Sequence, residues 1–575
     1  MNDETTSQPA DENEHTDELR HEPPQPTTSP KTDRRELPSL WPGITALGVG
    51  IGIAIAIQSV AQEIDYQRAN IFSTLAVLIG SMFLIYRVQR RLAIGEHAWY
   101  LLPSILIGIV AAGCVAFRFE GFSGEMSPQF SWRFGSTSVR ELQEVKSAAL
   151  PAGIDDSTET RSDSTIPTSE TERVSSLQFL GDNRNGVQPK RSFAIPKSAD
   201  AVERLWDIGI GEGWSSFAID QGLAVTIEQR DDVECLTCYR LTDGELVWIQ
   251  RHTARHQNLL GGIGPRSTPT IDAGRVFATS GTGFLWCVDL QSGGVRWTAD
   301  LLRLAGWDQA TFEAAASWGY AISPLVTNGL CIVSLGGPDD GLKPPPSLVA
   351  LDAESGVERW RGGSDQLSYA SPVVATLGGQ RQIVSVNEKT VSGHAIEDGK
   401  QLWSFDWFGQ TNGGATCSSA MPVGDSQLLL GKGYGGGSAL VKVTHAKDWN
   451  AEAVWTSQRV LQTKFNHTCV DGNIGYGIGN GALQAVDLSD PPKRLWIQPR
   501  RSRAGQGQAI LCEDTLVVQD EGGDVVLVAA DTTQYKELLR LKTLDSKTWN
   551  IPTVAGSYLL VRNDRQAICF KLPTR

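Results

Sequence analysis

Seven short segments of this chain gather the residue types that bind or transform small molecules. They read GEGW (211–214), GIGPRST (262–268), SWGYAISP (317–324), LSYASP (367–372), TKFN (463–466), GQGQ (505–508) and KTWNIP (547–552). Glu212, Arg266, Lys464 and Lys547 supply charge. Trp318, Tyr369 and Trp549 supply flat ring faces, and Gln508 and Asn550 supply amide donor–acceptor pairs. Brought to one place, this set suits a small anionic or planar ligand. Cations meet carboxylates through charge-assisted hydrogen bonds, and rings give a stacking floor. Arg266, Lys464 and Lys547 would repel one another around a shared axis unless an anion, or an acid such as Glu212, neutralised them. The expectation is therefore an anion-attracting mouth with Trp318 and Trp549 beside it. The competing expectation is that the same side chains merely plug and brace the axis of the fold.

What must position these segments is a repeat. CYRLTDGELVW (238–248), CVDLQSGGVRW (287–297), ALDAESGVERW (350–360) and GHAIEDGKQLW (393–403) share one plan, and AVDLSDPPKRLW (485–496) and VKVTHAKDWNAEAVW (441–455) are worn copies. Each copy has an apolar strand, a turn built on Asp or Ser plus Gly, and a second strand ending in Trp. Those turn residues supply the positive φ and local hydrogen bonds of a tight hairpin. Successive Trp residues lie 49, 63, 43, 52 and 41 positions apart. That period is one four-stranded propeller blade, which cannot bury both faces alone. Blades are predicted at 216–250, 267–299, 322–362, 371–405, 420–457, 467–498 and 507–541. An eighth begins at 551–571 without its last strand, and VERLWDIGI (202–210) is an end strand with no blade of its own. Pairing the two would close an all-β eight-bladed propeller over 176–573 and remove its open edge; seven blades is the alternative.

Ahead of the repeats the chain changes character. Residues 1–40 carry ten acidic and four basic side chains among Pro and Thr, too little apolar surface to offset ordering entropy, so a disordered tail is expected. Apolar runs at about 42–61, 69–86 and 98–117 are each long enough to cross a hydrocarbon core, so 41–118 is expected to be a three-helix anchor in a lipid bilayer. Lys31, Arg34 and Arg35 flank the first run, and Arg87, Arg90 and Arg91 follow the second. The positive-inside rule then places the tail and the 87–97 loop in the cytoplasm. Three crossings put everything after residue 118 outside, which for a bacterial inner membrane is the periplasm. Trp41, Trp99 and Tyr100 sit where headgroup anchors belong. Residues 119–175 comprise an aromatic juxtamembrane stretch, EGFSGEMSPQFSWRF, and a Ser/Thr/Glu/Asp-rich spacer.

Several other features carry less. A net charge of −14 argues against a nucleic-acid partner. The nine cysteines lie mostly in strand-like stretches and read as reduced core residues. Cys235 and Cys238 point to opposite faces of one strand, and no second CxxC completes a zinc site. GKGYGGGSAL (431–440) lacks the Walker spacing and is flanked by strands. His252 and His256 have no third ligand nearby, and the acidic run at 155–164 lacks calcium-loop spacing. No metal site is expected from the residues.

The A-x-D-x-x-[ST]-G-x-x-x-W repeat, with Ser323-Pro324 and Ser371-Pro372 ahead of strands, resembles the pyrroloquinoline-quinone (PQQ) repeat superfamily of β-propellers. The opening phrase SLQFLGDNRNGV (176–187) resembles that of planctomycete-type PQQ-like propellers. The resemblance covers about 400 residues and implies the fold; activity varies within the superfamily. One branch holds quinoprotein alcohol and glucose dehydrogenases, and a multi-span anchor with eight blades is also the plan of membrane-bound glucose dehydrogenase. That branch would imply PQQ with calcium as cofactors and electron transfer to membrane quinone. Another branch holds a non-enzymatic propeller lipoprotein of outer-membrane assembly. This chain has no Cys-Cys dipeptide and no Glu, Asn and Asp set that aligns with the calcium ligands, so no catalytic residue is assigned. The expected function is a membrane-tethered periplasmic module that binds a protein or a small anionic or planar ligand; the alternative is a quinoprotein dehydrogenase.

Overall fold

The Asp–Ser–Gly–Trp pattern builds the blades and also joins them. In the computed structural model, which describes residues 38–61, 65–92, 98–135, 140–145, 174–338, 341, 343–407 and 415–575, Asp352 accepts from the Ser355 amide and hydroxyl, both at 2.8 Å. This tightens a turn whose Gly356 has φ +71°. The Trp at the end of each outer strand then leaves its own blade. Trp206, Trp248, Trp297, Trp360 and Trp455 donate to backbone oxygens of Leu241, Leu290, Ala353, Ile396 and Leu488 at 2.8–3.2 Å. Each oxygen belongs to the hairpin of the following blade. The Gly of that hairpin is the landing place: a Cβ on Gly356 would lie 2.7 Å from the Trp297 ring, and one on Gly399 2.3 Å from Trp360. Trp403 departs from the pattern and bonds Gln382 Oε1 of its own blade at 2.6 Å.

Eight four-stranded antiparallel units result: blades 1 (218–253), 2 (270–300), 3 (325–362), 4 (373–406), 5 (421–457), 6 (468–497), 7 (508–541) and 8 (553–571). Eight hydrophobic clusters fill the junctions between neighbouring blades. The ring closes as the unpaired end strand predicts. Glu203–Gly209 pairs antiparallel with Gln566–Lys571, with Trp206 opposite Cys569, and supplies the outer strand that blade 8 lacks. Seven blades is thereby excluded. Among the described residues all nine cysteines are free, and seven of them are buried.

The SLQFLGDNRNGV phrase acts as a bar across one end of the ring. Ser176 bridges Ile219 of blade 1, the Leu177 carbonyl accepts from Ile271 of blade 2 at 2.7 Å, and Val187–Gln188 adds in parallel to the innermost strand of blade 7. Buried Arg184 donates to the Ser323 and Pro324 carbonyls at 2.9 and 2.7 Å, with burial holding its guanidinium down to about 9.

Helices α1 (Trp41–Ser59), α2 (Tyr66–Leu92) and α3 (Ala98–Ala116) precede the propeller. Three spans are expected from the sequence, but only α1 and α2 are long and apolar enough to cross a membrane among the described residues. Of α3, Pro103–Ala116 is the apolar part whose side chains are described throughout. The turn between α1 and α2 rests on the propeller. Asn480 accepts from the Tyr66 amide at 2.7 Å and donates to the Ala61 carbonyl, and Arg500 donates to the Gln58 carbonyl at 2.6 Å. A hairpin of Phe117–Phe122 and Pro128–Trp132 follows α3 directly. Most of the expected acidic tail and of the 136–175 spacer lies outside the described residues.

Candidate functional site

Each blade's innermost strand is preceded by an extended segment that runs along the ring axis. In six blades, the residue four positions before that strand occupies an equivalent place around the axis. These are Trp214, Arg266, Ala321, Tyr369, Cys417 and Trp549, before strands starting at 218, 270, 325, 373, 421 and 553. Blades 6 and 7 contribute Phe465 and Gln508. Together with their neighbours they enclose an axial cavity of about 450 Å³, to which all eight blades contribute lining residues. One end meets Phe179 of the 176–188 bar. At the other end, Gln67 of α2 and Ser123, Gly124 and Met126 of the juxtamembrane hairpin come down over the ring.

The hairpin tip is a plug made to this mouth. A Cβ on Gly124 would lie 2.3 Å from Gln506 Cγ, so only glycine allows the insertion depth. The Gly124 amide donates to Glu521 Oε1, and the Gly124 carbonyl accepts from Lys464 Nζ at 3.0 Å. Buried Glu125 accepts from Gln506 at 2.7 Å and lies 3.4 Å from the Arg503 guanidinium, which covers the face of Tyr66 at 3.3 Å. Lys547 Nζ donates to the Phe122 carbonyl at 2.9 Å and stands 4.5 Å from the centre of the Trp549 ring.

These contacts sort the nine residues singled out in the sequence. Arg266, Trp318, Tyr369, Gln508 and Trp549 line the cavity. Glu212, Lys464, Lys547 and Asn550 do not. Glu212 pairs through its backbone with Gln229, at 2.9 and 2.7 Å, and burial pushes its carboxyl up. Lys464 is engaged by Gln67, Gly124 and, at 3.9 Å, Glu125. Burial holds the Lys547 ammonium below its ordinary value. Asn550 donates to the Ser215 carbonyl at 2.7 Å, tying blade 8 to blade 1. The three cations expected at one open mouth are therefore separated: two hold the plug, and only Arg266 faces the cavity. Arg266 is itself bonded to the Gly261 and Gly264 carbonyls at 2.8 and 3.1 Å, and burial brings it down to about 10, so it remains a cation at neutral pH.

The sequence reading passed over most of the rings. Trp214 packs at 4.8 Å from Trp549, which in turn meets Phe465 edge-on at 5.1 Å. Tyr434 and His467 complete the wall, His467 held neutral by burial with its ring pushed down to about 3. Among the described residues no Asp or Glu lines the cavity, and no group of three or more His, Cys, Asp or Glu is placed to hold a metal ion. Calcium takes six to eight oxygen ligands, carboxylates foremost. The donor set therefore does not suit a calcium ion, and the several carboxylates of PQQ would meet a single cation.

A family profile described as "Outer membrane protein assembly factor BamB" matches residues 232–490, from blade 1 into blade 6. The domain is a PQQ-like repeat β-propeller. No curated protein matches the chain. Among solved structures, quinohemoprotein alcohol dehydrogenase from Comamonas testosteroni is similar at TM-score 0.50 and 10% identity, over 70% of this chain and 81% of that one. BamB from Moraxella catarrhalis is similar at TM-score 0.46 and 13% identity, over 64% of this chain and all of that one. These likenesses concern the fold; both catalytic and non-catalytic proteins share the PQQ-like propeller.

Proposed function

We propose that this protein is a membrane-tethered binding module whose ligand occupies the axial cavity, and that it performs no redox chemistry there. The observation that carries the reading is the lining itself: a walled space of about 450 Å³, ringed by aromatic side chains and, among the described residues, without a carboxylate. Carboxylates are what a dehydrogenase site would use both to hold calcium and to take a proton. The matching family is described as an assembly factor, which supports binding over catalysis. Native mass spectrometry of the purified full chain is expected to show a bound non-covalent mass that A321W, which fills the cavity, removes. Mixing the protein with PQQ and calcium should give no stoichiometric quinone absorbance and no dye reduction with alcohols or sugars. Turnover in that assay would restore the quinoprotein alternative.

The anchor is proposed to sit in the inner membrane, with the N-terminal tail in the cytoplasm and the propeller in the periplasm. The α1–α2 turn touches the propeller, so Arg87, Arg90 and Arg91 lie at the far end of an α2 of 27 residues, about 40 Å long. The chain must return from there to the hairpin at 117, and α3 is the segment that does so. Reporter fusions after residue 92 should read cytoplasmic, and those after 140 or 300 external. A cytoplasmic signal at 300 would overturn this orientation.

A further inference from the structure

The cavity lies unusually close to the lipid-facing part of the chain. Gln67 lines it, while Ile71 and Phe72 on the same helix are 44% and 55% exposed. Four residues of helix, about 6 Å of rise, separate cavity wall from lipid-facing surface. The plug belongs to a hairpin with exposed Phe117, Phe119, Phe130 and Trp132, at the start of which α3 ends. Aromatic rings at the end of a spanning segment mark the headgroup level. The face carrying the plug is thus laid against the bilayer surface.

On the side of blades 2 and 3, one part of the rim is uncovered and apolar. A short hairpin, Gln257–Asn258 paired with Gly262–Ile263, carries Leu259 and Leu260 at its tip, 76% and 36% exposed, and Leu260 lines the cavity. The tip is held in shape rather than loose: Asn258 Oδ1 accepts the Leu260 and Gly261 amides at 2.9 and 3.1 Å. Two leucines presented to water on a braced turn cost free energy, since each would gain from burial. Beside a membrane they enter the apolar zone instead.

Resting on the reading of the cavity as a binding site, we infer that its ligand is the acyl chain of a bilayer lipid, admitted past Leu259 and Leu260. The chain lies among Trp214, Trp318, Phe465 and Trp549, with no carboxylate among the described lining residues. The lipid's polar end stays at the rim with Asn258 and Arg266. Lysines that would otherwise draw soluble anions are spent on the plug, which favours an uncharged tail over a free polyanion.

The test uses the full chain reconstituted in phosphatidylcholine vesicles containing a phosphatidylcholine with a photoactivatable diazirine at its acyl terminus. Cross-linked peptides are mapped by mass spectrometry. Peptides carrying Leu260, Trp318 or Phe465 should be labelled, alongside those of α1 and α2, which serve as the internal reference. The exposed-site variant L259E/L260E should lower cavity labelling about tenfold with the reference unchanged, a loss of about 1.4 kcal/mol in occupancy. A321W should abolish it. Labelling confined to the helices, or unmoved by both variants, overturns the inference. If the bound mass seen by native mass spectrometry persists while acyl labelling fails, the binding reading stands and the lipid assignment alone falls. If both are missing, both fall.

Discussion

Replacing Gly356 by alanine separates two roles that the repeat assigns to one residue. Gly356 has φ +71°, and Gly329, in the turn between the first two strands of blade 3, has φ +73°. Both positions carry the left-handed penalty, about 1–2 kcal/mol for a residue with a Cβ. They differ in what the methyl meets. At Gly329 nothing lies within 4 Å, whereas at Gly356 the Trp297 ring stands at 2.7 Å. That ring cannot retreat freely, because its Nε1 donates to the Ala353 carbonyl at 3.2 Å and the side chain is buried. Overpacking of this kind adds about 1–3 kcal/mol. G329A should therefore cost about 1–2 kcal/mol and G356A about 2–5 kcal/mol. Urea unfolding of the full chain in one detergent, followed by tryptophan fluorescence at a shared slope, measures both. A double-mutant cycle of G356A with W297L should recover a coupling of the size of the overpacking cost. Equal midpoints for G329A and G356A would refute the idea that the repeat's glycine exists to receive the preceding blade's tryptophan.

Three further outcomes follow from the same structure. W206A removes the bolt of the closing strand, a buried ring bonded to Leu241, and should cost about 3–5 kcal/mol with early proteolysis at blade 8; unchanged stability would deny the closure. Buried His256, His394 and His467 are held neutral, with pKa values brought down to about 3, 4 and 3, so they stay unprotonated in the fold while the unfolded chain takes up protons below its ordinary 6.5. Stability should be full above pH 6.5 and fall as pH drops from there toward 3–4, each histidine adding up to about 1.4 kcal/mol per pH unit; H256Q should lower the slope by about one proton. G124V should lift the plug, and Lys464, only 1% exposed in the intact protein, should then react several-fold faster with an amine-directed reagent, a rate that stays flat if the hairpin tip is not seated.

The blades were legible because one physical requirement fixed several residues at once. A turn that needs Asp as acceptor, Ser as donor and Gly at positive φ, followed at fixed spacing by a ring that must find a flat landing, leaves little freedom for other residues. Where that requirement relaxes, the motif fades without the blade being lost. In blade 6 the hairpin reads SDPPKR with no glycine, yet Trp455 still reaches the Leu488 carbonyl at 2.8 Å. Ring closure was legible for the same reason: VERLWDIGI carried the outer-strand signature with no inner strands before it.

The site was half legible, and the half that was missed has a simple geometric cause. Segments along the axis are extended, so adjacent side chains project to opposite sides. Choosing by charged and amide groups picked Lys464 and Asn550, whose neighbours Phe465 and Trp549 face the cavity. It picked Glu212 where Trp214, two residues on, forms the wall. A positional rule would have done better than a chemical one. In four blades the ring residue stands three positions before a proline: Arg266 before Pro269, Ala321 before Pro324, Tyr369 before Pro372 and Trp549 before Pro552. Read that way, the axis carries four aromatic rings, one cation, one amide, an alanine and a cysteine, a composition that already disfavours a polyanion. What no spacing could reveal is the plug, because Lys464 and Lys547 spend their charge on backbone carbonyls more than 300 residues away in sequence. The cations that suggested a soluble anion are the ones that bind the juxtamembrane hairpin to the propeller.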